Sequence, residues 1–168
     1  HIDQVDEFIK KRLEQILFDR GYQKESVRAV MSLADRPSAA IAQLNQLEEL
    51  MPSENFALAF GSFKRISNLV PYGTKISKFD TTIFELPAET ALATAYEEVS
   101  SISIDTLDDF VKIFTGLSDS INNYLDDVIV NADDVKIKNN RIALLGNVRS
   151  LADDLIDWNA LSYEPVAR

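Results

Sequence analysis

Two stretches of this chain gather positive charge without a single carboxylate. Residues 55–79 hold Lys64, Arg65, Lys75 and Lys78, and residues 135–152 hold Lys136, Lys138, Arg141 and Arg149. Ammonium and guanidinium groups in such windows can hold phosphate oxygens, because a phosphate-binding surface must be locally positive whatever the total charge. Asn68 and Tyr72 stand within the first window. Unpaired RNA bases are commonly read by amide side chains and stacked on aromatic rings. Together these residues could grip a ribose-phosphate strand. Lys64, Arg65 and Arg141 would meet backbone phosphates, and Lys75, Lys138 and Arg149 would extend the same surface. Asn68 and Tyr72 are the candidates for contact with a base.

The bulk charge opposes this chemistry. The chain has 168 residues and a formal net charge of −10. Residues 1–84 carry 11 Lys+Arg and 11 Asp+Glu, and residues 85–168 carry 6 and 16, so all the excess acid lies in the second half. Any footprint on nucleic acid must therefore stay close to the two windows. The paired acids (Asp108-Asp109, Asp126-Asp127, Asp133-Asp134, Asp153-Asp154) suggest metal, but carboxylate-bundle sites need Glu-x-x-His pairs and the one histidine is His1. With no cysteine, disulfides and thiol chemistry are excluded, which fits a cytosolic origin. The five glycines form no phosphate-cradling motif. No nucleophile–base pair is present, so neither catalysis nor a cofactor or metal site is expected.

The elements that must position these residues read as helices. Apolar residues recur at three- and four-residue spacing over 3–20, 24–34, 87–101, 105–117, 118–130 and 135–158. Pro37 opens a helix carrying Ile41, Leu44, Leu47 and Met51, and Ser53 caps another carrying Phe56, Phe60, Phe63 and Val70. Ser118 reads as a further cap. No strand-type alternation persists, so the expected fold is all-α, a bundle of about eight helices in one domain spanning 1–168. Residues 71–86 form an unusually long connector, expected to be functional or mobile. No apolar run approaches the roughly 20 residues of a membrane span. The chain begins at His1 with an acidic amphipathic segment and no signal peptide, and reads as an excised fragment of a longer protein.

The last helix has the clearest geometry. With Lys138 at zero and 100° per residue, Arg141 falls at about 300° and Arg149 at about 20°. The three cations share an arc of about 80° flanking an apolar face near 250° and are expected to look outward. The alternative is that they snorkel around a buried helix, with Arg141 paired to a nearby Asp. Asn140, near 200°, should face inward or lie at the boundary and make a structural hydrogen bond to another helix. Lys64 and Arg65 could equally complement the C-terminal dipole of their helix. Asp133 and Asp134 should cap and charge the start of the last helix.

Four segments, in order, resemble the β subunit of bacterial glycyl-tRNA synthetase, and with the opening helix the match covers nearly the whole chain. Lys64-Arg65-Ile66-Ser67-Asn68-Leu69 is similar to its Lys-Arg-Val-x-Asn-Ile signature. Phe84-Glu85-Leu86-Pro87-Ala88-Glu89-Thr90-Ala91-Leu92 resembles its Phe-Glu-x-Pro-Ala-Glu-x-x-Leu. Ile121-Asn122-Asn123-Tyr124-Leu125-Asp126-Asp127-Val128-Ile129-Val130 resembles its Val-Asp-x-Phe-Phe-Asp-x-Val-Met-Val. Asn140-Arg141-Ile142-Ala143-Leu144-Leu145 resembles its Asn-Arg-Leu-Ala-Leu-Leu. In the third segment this chain has Asn122 where the family usually has Asp, so any salt bridge from that Asp is absent or replaced.

The resemblance implies a C-terminal helical anticodon-binding domain of the kind shared with arginyl-tRNA synthetase. It would grip the anticodon arm of tRNA(Gly) in the cytoplasm. The enzyme's α subunit would perform aminoacylation with ATP, Mg²⁺ and glycine, and this domain would bind no nucleotide cofactor itself. The implied partners are tRNA(Gly), the α subunit and the remainder of the β subunit, with no membrane and no DNA. A rival reading is an acidic helical module that docks on its own chain or a partner subunit. A third, an acidic nucleic-acid mimic, suits the net charge but not the series of motifs.

Overall fold

A computed structural model describes residues 2–162 of the chain, with side chains from residue 3 onward; His1 lies outside the described residues. Among the described residues seven α-helices follow one another: α1 (Ile2–Asp19), α2 (Lys24–Val30), α3 (Pro37–Leu50), α4 (Glu54–Leu69), α5 (Pro87–Val99), α6 (Leu107–Asp127) and α7 (Val135–Ser150). Three short 3₁₀ turns, Met31–Leu33, Thr81–Ile83 and Trp158–Ala160, complete the architecture, and the described residues contain no strand.

Helices α4, α6 and α7 each start where a side chain satisfies first-turn amides that have no partner inside the helix. The Ser53 hydroxyl accepts from the Phe56 amide at 3.1 Å. Thr106 and Asp109 form a reciprocal capping box at the head of α6. One oxygen of Asp134 accepts from the amides of Lys136 and Ile137. Pro37 and Pro87 occupy the first positions of α3 and α5, where the missing N–H costs nothing. Gly21 ends α1 with a φ of 91°, a left-handed conformation that only glycine adopts cheaply.

The core is built on α4 against α6, with α5 laid on α6 and α7 against α4 and α5. Its centre is aromatic. The Phe63 ring meets Phe110 and Phe114 edge-on at 5.4 Å and 5.3 Å, and Trp158 at 4.8 Å. Such edge-to-face pairs add about 0.5–1.5 kcal/mol each beyond the area they bury. Helix α1 packs chiefly on α2 through its C-terminal half, where Leu17 is fully buried, and leaves Val5, Phe8, Ile9 and Ile16 exposed.

The all-α fold is as the sequence leads one to expect, with seven helices among the described residues against an expected count of about eight. The stretches 105–117 and 118–130 are a single helix, α6. Its buried residues Leu107, Phe110, Val111, Phe114, Leu117, Ser118, Ile121 and Tyr124 stay in one helical phase, so nothing breaks the turn sequence. Ser118 caps nothing; its hydroxyl donates to the Thr115 carbonyl at 2.9 Å within the helix. The last helix ends at Ser150 rather than 158, because the chain turns to drive Trp158 into the aromatic core. There the indole N–H donates to the Ala152 carbonyl at 2.7 Å, and the Asp157 amide donates to Ala29 of α2 at 2.7 Å. The segment 24–34 is likewise a short α-helix with a 3₁₀ turn appended.

Phe63→Ala should cost about 3–5 kcal/mol in a urea titration, since it empties the centre of the aromatic cluster. Phe8→Ala should stay within about 0.5 kcal/mol of the wild type. Equal effects would contradict this placement of the core.

Candidate nucleic-acid interface

The connector 71–86 lies pinned along α7. Three side chains of that helix hold its backbone. Asn140 accepts from the Asp80 amide at 2.7 Å and donates to the Asp80 carbonyl at 3.0 Å, replacing the ladder bonds a loop lacks. Asn147 donates to the Ser77 carbonyl at 2.8 Å. Arg149, only 1% exposed, donates through Nη1 to the carbonyls of Val70 and Pro71. Its remaining donors form a two-pronged pair with Asp153 at 3.0 and 3.1 Å, and the guanidinium lies over the Tyr72 ring, 5.4 Å from its centroid. The fit is close: a Cβ at Gly146 would come within 3.0 Å of the Ile76 side chain. Burial pushes the Tyr72 phenol well above its ordinary pKa, opposed by the hydroxyl of Ser67, which donates to it.

This clamp brings the two cationic windows together. Lys75 and Lys78 of the connector and Lys136 of α7 line one concavity of about 400 Å³, with Asn139 and Asn140. One carboxylate, that of Asp80, sits beside them. It is held below the usual carboxylate range by the hydroxyl and amide of Thr82, with the charge of Lys136 adding to the effect. A second concavity, of about 230 Å³, is lined by Lys64, Asn68, Tyr72, Trp158 and Asn159.

The eight sequence candidates divide by environment. Lys64, Asn68 and Tyr72 share the smaller concavity and Lys75 lines the larger. Lys138 is half-exposed on α7 and lines neither. Arg65 is exposed and donates to Asn122 at 2.9 Å and Asp126 at 3.0 Å, both on α6. An Asp at position 122 would face the same guanidinium, so the amide here keeps the acceptor and gives up the charge.

Arg141 and Arg149 do not look outward as the helical wheel places them. Both are buried, because the connector and the head of α5 cover that flank of α7. The wheel describes one helix in isolation and carries no information about a segment 60 residues away. Arg141 meets Glu89 of α5 at 3.0 Å rather than an aspartate, and donates to the Ile129 carbonyl at 2.8 Å. Tyr124 donates its hydroxyl to the backbone carbonyl of Arg141 at 3.2 Å.

Glu89 escaped sequence reasoning as a partner. Its position three residues beyond the Leu86 cap does mark it as a capping acid, and its carboxylate accepts from the amides of Glu85 and Leu86 at 2.8 and 2.9 Å. The remaining acceptor capacity goes to Arg141. Trp158 and Asn159 were hidden because they read as the tail of a helix that ends earlier. No cluster of described residues could hold a metal ion, and no described helix is long and apolar enough to cross a membrane.

An all-α bundle carrying a lysine-lined surface on an acidic body is the class of structure these features define. No family model matches the chain. It is 29% identical over 95% of its length to the glycine–tRNA ligase beta subunit of Sulfurihydrogenibium sp. (strain YO3AOP1), covering 24% of that protein. It is 28% identical over 95% of its length to the chloroplastic/mitochondrial glycine–tRNA ligase 2 of Arabidopsis thaliana, covering 16% of it. The beta subunit of Ligilactobacillus salivarius (strain UCC118) is 28% identical over 92% of the chain and covered to 23%. The chain is thus homologous to a segment of the glycine–tRNA ligase beta subunit, and spans about a quarter of the length of its bacterial relatives.

Burial raises the pKa of Glu89, but the hydrogen bond from Arg141, the two amides and the arginine's charge outweigh it, so the carboxyl sits below its ordinary value of 4.5. A lowered folded-state pKa stabilises the protein above the unfolded value, and that stabilisation is lost as pH falls through the folded value. Glu89→Gln should therefore cost about 3 kcal/mol at neutral pH, since it leaves the buried guanidinium with the Ile129 carbonyl and only the exposed Glu85 carboxylate, 4.0 Å away, as its charge partner. The gap between wild type and variant in thermal melts should narrow as pH drops below 4.5. A gap that stays constant to pH 3 would show that Glu89 is not the ionised partner.

Proposed function

We propose that this chain is a tRNA-binding domain of a glycyl-tRNA synthetase beta subunit, gripping the anticodon arm of tRNA(Gly) through the surface built by the connector and α7. The observation that carries the reading is the meeting of Lys75 and Lys78 with Lys136 across the clamp, on a molecule whose net charge is −10. Three ammonium groups drawn from two distant windows to one concavity repel one another, and the phosphates of a ribose-phosphate strand would neutralise them. Homology to a subunit of glycine–tRNA ligases supports tRNA as the nucleic acid.

In this reading the lysines and Lys138 meet phosphates, and Asn68 and Tyr72 meet a base. Arg65 can exchange its exposed partner Asp126 for a phosphate at little cost, since surface ion pairs are worth about 0–1 kcal/mol. Arg141 and Arg149 act by holding the surface in shape. The domain is non-catalytic and binds no cofactor. Glycine activation with ATP and Mg²⁺, and contact with an α subunit, belong to the parent enzyme in the cytoplasm.

A second reading has its own observation. Val5, Phe8, Ile9 and Ile16 form an exposed apolar stripe on α1, which suits a module that docks on protein. The two readings use different faces.

Filter binding of tRNA(Gly) at several salt concentrations separates them. Replacing Lys75, Lys78 and Lys136 together by alanine should weaken binding at least about tenfold at low salt and reduce the salt slope by about two to three, close to one per lysine. Unchanged affinity and slope would remove this surface from the footprint.

A further inference from the structure

We propose that the smaller concavity is a pocket for one unpaired nucleobase, with the carboxamides of Asn68 and Asn159 reading the base edge. The inference deepens the tRNA-binding reading and rests on it. The pocket lies between the last turn of α4, the Pro71–Tyr72 turn and the Trp158–Ala160 turn. At about 230 Å³ it is smaller than a site for a drug-sized ligand, so its natural occupant is a single ring system.

Its floor is apolar and rigid. Phe60 and Trp158 stack with centroids 5.9 Å apart, and the bond from the indole to Ala152 prevents the Trp158 ring from turning. The Tyr72 ring stands at one side, fixed by Arg149 across its face and by Ser67 at its hydroxyl. A preorganised wall of this kind spares a ligand the entropy of ordering it.

The rim has the groups a base edge needs. Asn68 and Asn159 are exposed, and neither carboxamide hydrogen-bonds any other described residue. Each offers two donors and an acceptor, enough for a paired hydrogen bond to a base. Lys64 puts a positive charge on the same rim, toward the strand that would carry the base. The polar concavity lined by Arg36, Gln43, Asp105 and Asp154 makes the contrast. There Gln43 is already committed to the Asp105 carbonyl and the Leu107 amide, and two carboxylates would repel a phosphate.

The test uses RNA hairpins that share one stem and differ at each loop position, titrated into the chain while the emission of Trp158, its only tryptophan, is followed. The expected result is a change in emission on binding and a preference for particular loop bases. Asn159→Ala and Asn68→Ala should each weaken the preferred hairpin about tenfold, leave the other loops within a factor of two (~2) and keep the salt slope. Both residues are exposed, and unchanged thermal melts would show the variants folded. Full loop preference in both variants, or equal weakening of every loop, overturns the inference. If the triple lysine variant changes the salt slope while the asparagine variants change nothing, the base pocket fails and the RNA surface stands. If no hairpin binds, both fail.

Discussion

Everything on the proposed surface depends on a buried arginine. Arg149 carries its charge into the core, where an unpaired guanidinium would cost several kcal/mol. Its acceptors are Asp153, one turn ahead on the chain, and two backbone carbonyls nearly 80 residues behind it, at Val70 and Pro71. If the connector left α7, Nη1 of that guanidinium would lose both carbonyl acceptors and Asp153 alone would remain as its partner. Asn140 and Asn147 then fasten the connector at Asp80 and Ser77. A segment with no regular structure over most of its length is thereby held like a secondary-structure element. Near the middle of α7, Arg141 is locked to Glu89 and to the carbonyl of Ile129.

The two kinds of cation divide the work according to their chemistry. A planar guanidinium satisfies several acceptors in fixed directions, so arginine suits the buried junctions at Arg141 and Arg149. An ammonium on a flexible stem is strongly hydrated and suits the surface, where Lys75, Lys78 and Lys136 converge. Part of the acid in the second half of the chain serves in caps and pairs. Asp109 and Asp134 cap helices, Glu89 and Asp153 neutralise arginines, and Asp126 meets Arg65. A strongly negative molecule can keep a local positive face in this way.

The helices were legible because their cause is local. Apolar spacing, Pro37 and Pro87 at helix starts, and the Ser53 and Asp134 caps all act within a few residues. Asn140 was legible in part: an amide in a core-facing position must find a partner, but the partner is the backbone of the connector and not another helix. The break placed at Ser118 failed because a small hydroxyl residue can bond within a helix as readily as it caps one. The orientation of Arg141 and Arg149 was not legible, since it follows from a connector and a helix head that pack on α7 from far along the chain. Glu89 went unread both as a cap for the head of α5 and as the distant partner of Arg141. Trp158 and Asn159 became visible only when the last helix ended early.

The measurement closest to the central claim is hydrogen exchange at the Asp80 amide, in the middle of the connector, without RNA. If α7 holds the connector as a preformed wall, that amide should exchange far more slowly than its exposed position suggests, and Asn140→Ala should release it to the rate of an open loop. An Asp80 amide that already exchanges at an open-loop rate in the wild type would mean that the connector is not clamped and that the basic surface has no fixed shape.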